Sequence, residues 1–348
     1  MEPKLSSVTY ESTWVTGIDL KNSAWENTRT HYGILVTIPG SLMVNGTLYP
    51  VDRNFAPTSA NKIMRYQLMN NQFIVLKVVP KRAGREEKSL DVFHRNFIKV
   101  NDAECKKYIV QYLGSARVSF DNLTEEAVFL FEHIPSGDLN DHIFDKKTMN
   151  TYPIQRKVIA QIFNSVQCLH SKGIIHRDIK PENFMVTEDL NIKLTDFDSL
   201  CDLSKSEVCD GKSGTRGYQR KDPRERFNMN DDWFAVGLTI FALLTGQLIP
   251  PEFIYPSVPT RESVQILLTN TIGAMSPFFE MLYALLCLAC RAEAPNTGAE
   301  LKGRIERLPT PATITYLEEM DRMFESGKEE VVEESSDEES FPPPPRKP

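Results

Sequence analysis

The sequence predicts an α+β fold, with a β-rich amino-terminal part followed by a mainly helical carboxy-terminal part. Three observations carry this. Short apolar runs bounded by turn residues fill the first 134 positions: ILVTI (34–38), SLMV (41–44), TLYPV (47–51), FIVLK (73–77), KYIVQYLG (107–114) and AVFLF (127–131). Beyond residue 150 the period changes, and Val158, Ile162, Val166 and Leu169 recur every three to four residues, giving one buried helix face. Two later runs, DDWFAVGLTIFALLTG (231–246) and SPFFEMLYALLCLA (276–289), are apolar nearly all round, as helices inside a core are.

Composition narrows the class. The chain has 348 residues, 41% hydrophobic and 25% charged, which suits one large or two smaller soluble domains. Its net charge is −7, but residues 325–348 carry eight acids against three bases and leave the remainder nearly neutral. No basic stripe argues for a nucleic-acid partner. MEPKLSSVTYESTW at the start has no apolar core for a signal peptide, and the longest apolar runs (233–244 and 278–290) are too short to cross a bilayer. The expectation is an intracellular protein, cytoplasmic or nuclear, with no membrane partner. Six cysteines are scattered, and the one CxxC (Cys287 and Cys290) lacks a second pair to complete a zinc site. It reads as helix packing in a reducing compartment.

In chain order, residues 1–30 are polar, carry Trp14 and Trp25, and suggest no role. Pro39-Gly40 and Asn45-Gly46 then separate three apolar runs, which predicts a small β-meander. GREEKSLDVFHRNFIKV (84–100) is expected to be helical, as is 152–172, which Gly173 ends. FMV (184–186) and IKLT (192–195) read as two short strands around the polar turn TEDLN. A last amphipathic helix is expected at 312–325, with Ile314, Leu317 and Phe324 on one side. From Ser326 the acidic run and FPPPPRKP cannot form a core and read as a disordered tail.

The chemistry is concentrated in HRDIKPEN (176–183). Asp178 can accept a hydroxyl proton, Lys180 can face phosphate oxygens and Asn183 can hold a metal ion. Asp196, in TDFDS, follows thirteen residues after Asn183, and a hairpin between them would bring the two side by side. These two motifs, in this order and spacing, resemble the catalytic and metal-binding loops of eukaryotic-type Ser/Thr protein kinases. The resemblance covers about residues 50–320 and implies a bilobal fold: an extension at 1–50, an amino-terminal lobe at 51–134, a carboxy-terminal lobe at 135–325 and the tail at 326–348.

It also implies roles. Asp178 and Lys180 become catalytic; Asn183 and Asp196 become ligands of Mg²⁺ or Mn²⁺; ATP becomes the co-substrate and a protein the substrate. Lys77 would pair with nucleotide phosphates. Phe131 would guard the adenine pocket, backbone groups of Glu132 and His133–Ile134 would bond adenine, and Asp138 would lie near the ribose. His176 would pack rather than react, and Asp232 would brace the catalytic loop. Lys180 and Thr215 favour serine or threonine acceptors. Arg177 would let phosphate on Ser213 or Thr215 order the loop around GTRGY (214–218). Ser335 and Ser336, followed by acids, suit an acid-directed kinase, and the PPPP run suits a proline-motif-binding partner.

Four departures from the family pattern stand against this. FAPTSAN (55–61), where a glycine-rich loop belongs, has no glycine; Ala56, Thr58 and Asn61 occupy its glycine positions. The helix that should hold Lys77 has no acid at 92–97; Asn96 is the best match, with Glu86, Glu87 and Asp91 as other candidates. Asp198 replaces a glycine, where it would either repel phosphate or hold a second ion. QRKD (219–222) replaces Ala-Pro-Glu, and Pro295 stands near the position of the arginine that would pair with that glutamate. The alternative to an active enzyme is therefore a pseudokinase that binds nucleotide or partners. A small-molecule phosphotransferase would share the Asp and Asn roles but would not account for HRDIKPEN with GTRGY.

Overall fold

The structure, a computed structural model, describes residues 5–289 except 11–16, 30–34, 54–61, 70–71, 81–94, 121–123, 205–208, 210–213, 216, 220–226, 251–252 and 254–258. Trp14, the 55–61 loop, Glu86, Glu87, Asp91, Ser213, residues 220–222, Cys290, Pro295, the 312–325 helix and the 326–348 tail lie outside the described residues.

The protein has the α+β bilobal architecture. In the amino-terminal lobe, β1 (Leu5–Tyr10), β5 (Lys62–Gln67), β6 (Phe73–Pro80), β7 (Tyr112–Phe120) and β8 (Thr124–Glu132) form an antiparallel sheet ordered β1-β7-β8-β6-β5. A second sheet holds β2 (Ile18–Arg29), β3 (Leu35–Val44) and β4 (Thr47–Pro50) in sequence order. The two share one core. Leu20, Trp25, Ile38 and Leu42 from the smaller sheet are buried with Tyr66, Leu76, Val118 and Leu130 from the larger. The first fifty residues thus supply an edge strand and a packing layer, driven by apolar burial worth about 1.5–3 kcal/mol per large side chain.

The meander is corrected at one point. Asn45-Gly46 forms the predicted hairpin turn, with φ of 50° and 78°, the left-handed pair that a two-residue turn of this hand requires. Pro39-Gly40 makes no turn, because β3 runs straight through it. Ala24 pairs with Ser41 and Trp25 with Pro39, so Gly40 is an extra residue on β3, a bulge. Bulges tolerate proline, whose missing N–H breaks no ladder bond there.

The carboxy-terminal lobe is built on α2 (Tyr152–Ser171) and α3 (Met229–Thr245); the described part of α1 covers 95–100. Asn228 and Asp231 close a reciprocal cap on α3, and every residue from Asp231 to Leu243 is buried. With α4 (Arg261–Thr271) comes α5 (Phe279–Leu286), which packs so closely on α3 that a Cβ on Gly237 would sit 2.9 Å from Leu285 Cβ. Small strands β9 (Ile174–Ile175), β10 (Phe184–Val186), β11 (Ile192–Leu194) and β12 (Cys201–Asp202) pair as β9–β12 and β10–β11.

The cysteine expectation is also corrected. Cys105 and Cys168 are bonded, as are Cys201 and Cys209, with Cα atoms 5.7 and 5.9 Å apart. A separation of 63 residues hides the first pair in the sequence; docking of the 105–107 turn on α2 creates it. Cys287 lies half-buried at the end of α5. Among the described residues, no helix is long and apolar enough to cross a membrane.

Candidate active site

The predicted β10–β11 hairpin forms, with Phe184 opposite Leu194, and the Thr195 N–H donates to the Asn183 carbonyl at 2.8 Å. That register places Asp196 directly after the residue bonded to Asn183. Asp196 takes a left-handed backbone (φ 60°), after which Phe197–Ser199 make one tight turn. Phe197 is buried and meets Phe97 of α1 edge-on at 4.6 Å and His176 at 5.7 Å, while Phe97 meets Tyr112 at 4.9 Å. This aromatic column ties β7, α1, the Asp196 turn and the catalytic loop together, at about 0.5–1.5 kcal/mol per ring pair beyond burial. His176 is fully buried and bonds the Thr195 carbonyl (3.0 Å), the packing role expected of it.

Below the column stands Asp232, on α3. Its carboxylate accepts the N–H groups of His176 and Arg177, each at 2.8 Å, and pairs with His170 Nε2 at 2.9 Å. Arg177 has a φ of 68°, and its N–H bond to Asp232, beside that of His176, holds it there. Burial pushes the Asp232 pKa up, but the bond and charge of His170 and the His176 N–H outweigh it; the group stands below the usual carboxylate value.

Around Asp178 the polar groups converge. Its Oδ1 accepts the Thr215 hydroxyl at 2.7 Å; its Oδ2 lies 3.1 Å from Lys180 Nζ and 3.1 Å from Asn183 Nδ2. Lys180 also donates to Thr215 Oγ1 at 2.7 Å, closing a triangle, and Asn183 Nδ2 donates to the Asp178 carbonyl at 2.7 Å. With its nitrogen so committed, the Asn183 side chain has its oxygen as the atom that could meet an ion. That oxygen and the Asp196 carboxylate are hard donors suited to Mg²⁺ or Mn²⁺.

Lys77 is buried on β6 and reaches two carboxylates, Asp196 Oδ1 at 2.8 Å and Asp198 Oδ2 at 2.7 Å. Burial opposes its charge, yet the two acids outweigh burial and hold its pKa above the ordinary lysine value. Asn96, the best match for the position of the helix acid, is 1% exposed, and among the described residues neither amide atom has a hydrogen-bond partner. Glu86, Glu87 and Asp91 lie outside the described residues; among those described, the carboxylates facing Lys77 come from Asp196 and from Asp198, two residues further on. Asp198 is thus engaged rather than free to repel phosphate. Sequence reasoning treated the missing helix acid and the extra turn acid as separate losses. Their complementarity was the signal.

At the lobe junction, Phe131 is buried and faces Phe97 at 6.0 Å, and Ile134 is buried. Glu132 pairs with Lys193 at 2.5 Å, and its backbone N–H is spent on the Gln111 carbonyl at 2.9 Å, so that donor does not serve adenine. Asp138, half-buried, accepts the Asp141 N–H at 2.9 Å and so caps the following turn. Burial, its largest influence, raises its pKa.

The chain matches the family described as "Protein kinase domain" over residues 60–271. It belongs to the protein kinase family. Curated relatives agree. Ribosomal protein S6 kinase 2 beta of Xenopus laevis is 26% identical over 272 residues, covering 73% of this chain and 42% of that protein. Hormonally up-regulated neu tumor-associated kinase of Homo sapiens is 34% identical over 131 residues, covering 36% and 18%. G protein-coupled receptor kinase 2 of Drosophila melanogaster is 27% identical over 150 residues, covering 41% and 21%. The chain therefore spans less than half the length of these kinases.

One element of this kinase domain escaped sequence reasoning. Gly214, with φ +99°, lies so close to the catalytic loop that a Cβ would sit 2.3 Å from the Arg177 carbonyl. Only glycine permits that approach, and the approach delivers Thr215 to Asp178. Gly214→Ala is expected to lower phosphate transfer about 100-fold by displacing Thr215, with the domain still folded by circular dichroism; full activity would show that the contact positions nothing. The Thr215 hydroxyl is engaged by Asp178 and Lys180. A phosphate on that hydroxyl would have to leave the Asp178 carboxylate, since the two charges repel; Ser213 lies outside the described residues.

Proposed function

We propose that this chain transfers the γ-phosphoryl group of ATP to serine or threonine hydroxyls of a protein substrate. The observation that carries the reading is the Asp178–Thr215–Lys180 triangle with Asn183 beside it. The Thr215 hydroxyl already donates to Asp178 at 2.7 Å, the reach that a general base needs toward an acceptor hydroxyl. Asp178 orients the acceptor and takes its proton; Lys180 faces the moving phosphoryl oxygens. Lys77 holds the nucleotide phosphates from β6, with adenine at the Ile134 hinge and the ribose toward Asp138. Asn183 and Asp196 hold Mg²⁺ or Mn²⁺, which neutralises phosphate charge when bound. Thr215, bridging Asp178 and Lys180, supports the serine/threonine preference.

Thermal melts with ATP test the binding half of this reading. A ligand at a hundredfold excess over Kd stabilises the fold by about 2.7 kcal/mol. ATP with Mg²⁺ is expected to raise the melting temperature more than ATP alone, and Asp196→Asn to remove that increment, since an amide lacks the charge to hold the ion. Equal shifts with and without metal in the wild type would remove Asn183 and Asp196 as ligands. Phosphoamino-acid analysis of a labelled basic substrate is expected to give phosphoserine or phosphothreonine; phosphotyrosine alone would overturn the specificity.

A further inference from the structure

We propose that Asp198 is the positioning residue for Lys77, a carboxylate anchor supplied by the metal-binding turn instead of the facing helix. The inference rests on the kinase reading and deepens it. A lysine that grips phosphates is held more firmly by a second partner, because a carboxylate that also binds a metal shares its negative charge with the ion. Lys77 contacts two carboxylates among the described residues. One, Asp196, is the metal ligand proposed above. The other, Asp198, is the residue left to hold Lys77 once Asp196 turns to the ion.

The turn geometry makes the pairing. Asp196 adopts a left-handed backbone and residues 197–199 coil tightly, so residues 196 and 198 face Lys77 while Phe197 points the other way, into the aromatic column. Phe197, 1% exposed, locks the turn, and with it the position of Asp198. The facing helix offers no substitute in its described part. RNFIKV (95–100) contains no acid, and Asn96 is sealed, its amide without a partner among the described residues. The Asp198 side chain keeps 38% exposure against 8% for Lys77, so the acid sits at the rim of the cleft and the lysine inside it. A carboxylate there reaches Lys77 without entering the core.

Rival roles for Asp198 predict different results. If its charge repelled phosphate, Asp198→Gly, which restores the residue usual in the family, would raise transfer. If it held an ion, its loss would act whether or not Lys77 was present. As an anchor, Asp198→Asn and Asp198→Gly each lower kcat about 100-fold, Asp198→Glu recovers most of that loss, and Asp198→Asn adds nothing to Lys77→Met. Unchanged or raised activity in Asp198→Gly overturns the proposal, as does a full additional loss in the Lys77→Met background. A second measurement needs no activity. In the nucleotide-free protein, Asp198→Asn is expected to lower the melting temperature when Lys77 is present. In Lys77→Met it is expected to raise it, because two neighbouring carboxylates would otherwise repel. The same sign in both backgrounds overturns the pairing. A sign reversal in a wild type that transfers no label keeps the Lys77–Asp198 pair and removes the kinase reading instead.

Discussion

Asp178→Asn is expected to abolish phosphate transfer while leaving the fold intact. The substitution preserves volume and removes the charge. Asp178 now accepts from three donors: the Thr215 hydroxyl, Lys180 Nζ and Asn183 Nδ2. An amide at 178 would turn its NH₂ toward one or more of them, so the cluster would lose order as well as a base. General-base contributions run to about 10²–10⁴-fold. Loss of the Lys180 contact adds to this, because Lys180 would no longer be held beside the acceptor. Radiolabel incorporation into a generic basic protein measures the effect, and a thermal melt in parallel establishes folding. Asp178→Asn should also keep the ATP and Mg²⁺ stabilisation, since binding and chemistry belong to different side chains. Equal incorporation by mutant and wild type would end the reading of this domain as an active phosphotransferase.

How much of this was legible in the sequence depended on whether the deciding interaction was local. HRDIKPEN and TDFDS could be placed together because a two-stranded hairpin spans thirteen residues and closes on its own turn chemistry. The buried helix α3 was plain from an apolar run too long for a strand. Asn45-Gly46 was read correctly because a two-residue turn is a local event; Pro39-Gly40 was misread because a bulge depends on the count of residues in the partner strand, which one strand's sequence does not show. The use of residues 1–30 was hidden for the same reason. β1 pairs with β7, more than a hundred positions away, and Trp25 is buried by strands from the other sheet. The Lys77 anchor was the deepest case. Asp198 lies 121 residues beyond Lys77, and family pattern directs attention to the helix rather than to the turn. The Lys99–Asp202 pair, which links α1 to β12, left no sequence signal that either residue could announce alone.

Asp232→Ala should be the most destabilising single change near the site, and it should remove activity without touching substrate. Asp232 is 1% exposed and satisfies three groups at once: the N–H of His176, the N–H of Arg177 and the ring of His170. Removing it strands two backbone donors in the core and leaves Arg177 in a left-handed conformation with its brace gone. Breaking a buried pair of this kind costs about 3–5 kcal/mol, and a domain of this size loses roughly 2–4 °C per kcal/mol, so a fall near 10 °C is expected. The pH dependence provides a second readout. The folded pKa of Asp232 lies below its unfolded value, so its stabilising contribution is complete above about pH 4 and is lost as pH falls through the folded value. The wild type should therefore lose stability on the acid side faster than Asp232→Asn, which has nothing to protonate at that position. Asp232→Asn retains one acceptor oxygen for the two N–H groups and should fall between wild type and Asp232→Ala in melting temperature at pH 7. Denaturant melts of the three proteins from pH 7 to pH 3 decide the matter: parallel acid-side losses in wild type and Asp232→Asn would show that the carboxylate is not the group whose protonation loosens the catalytic loop.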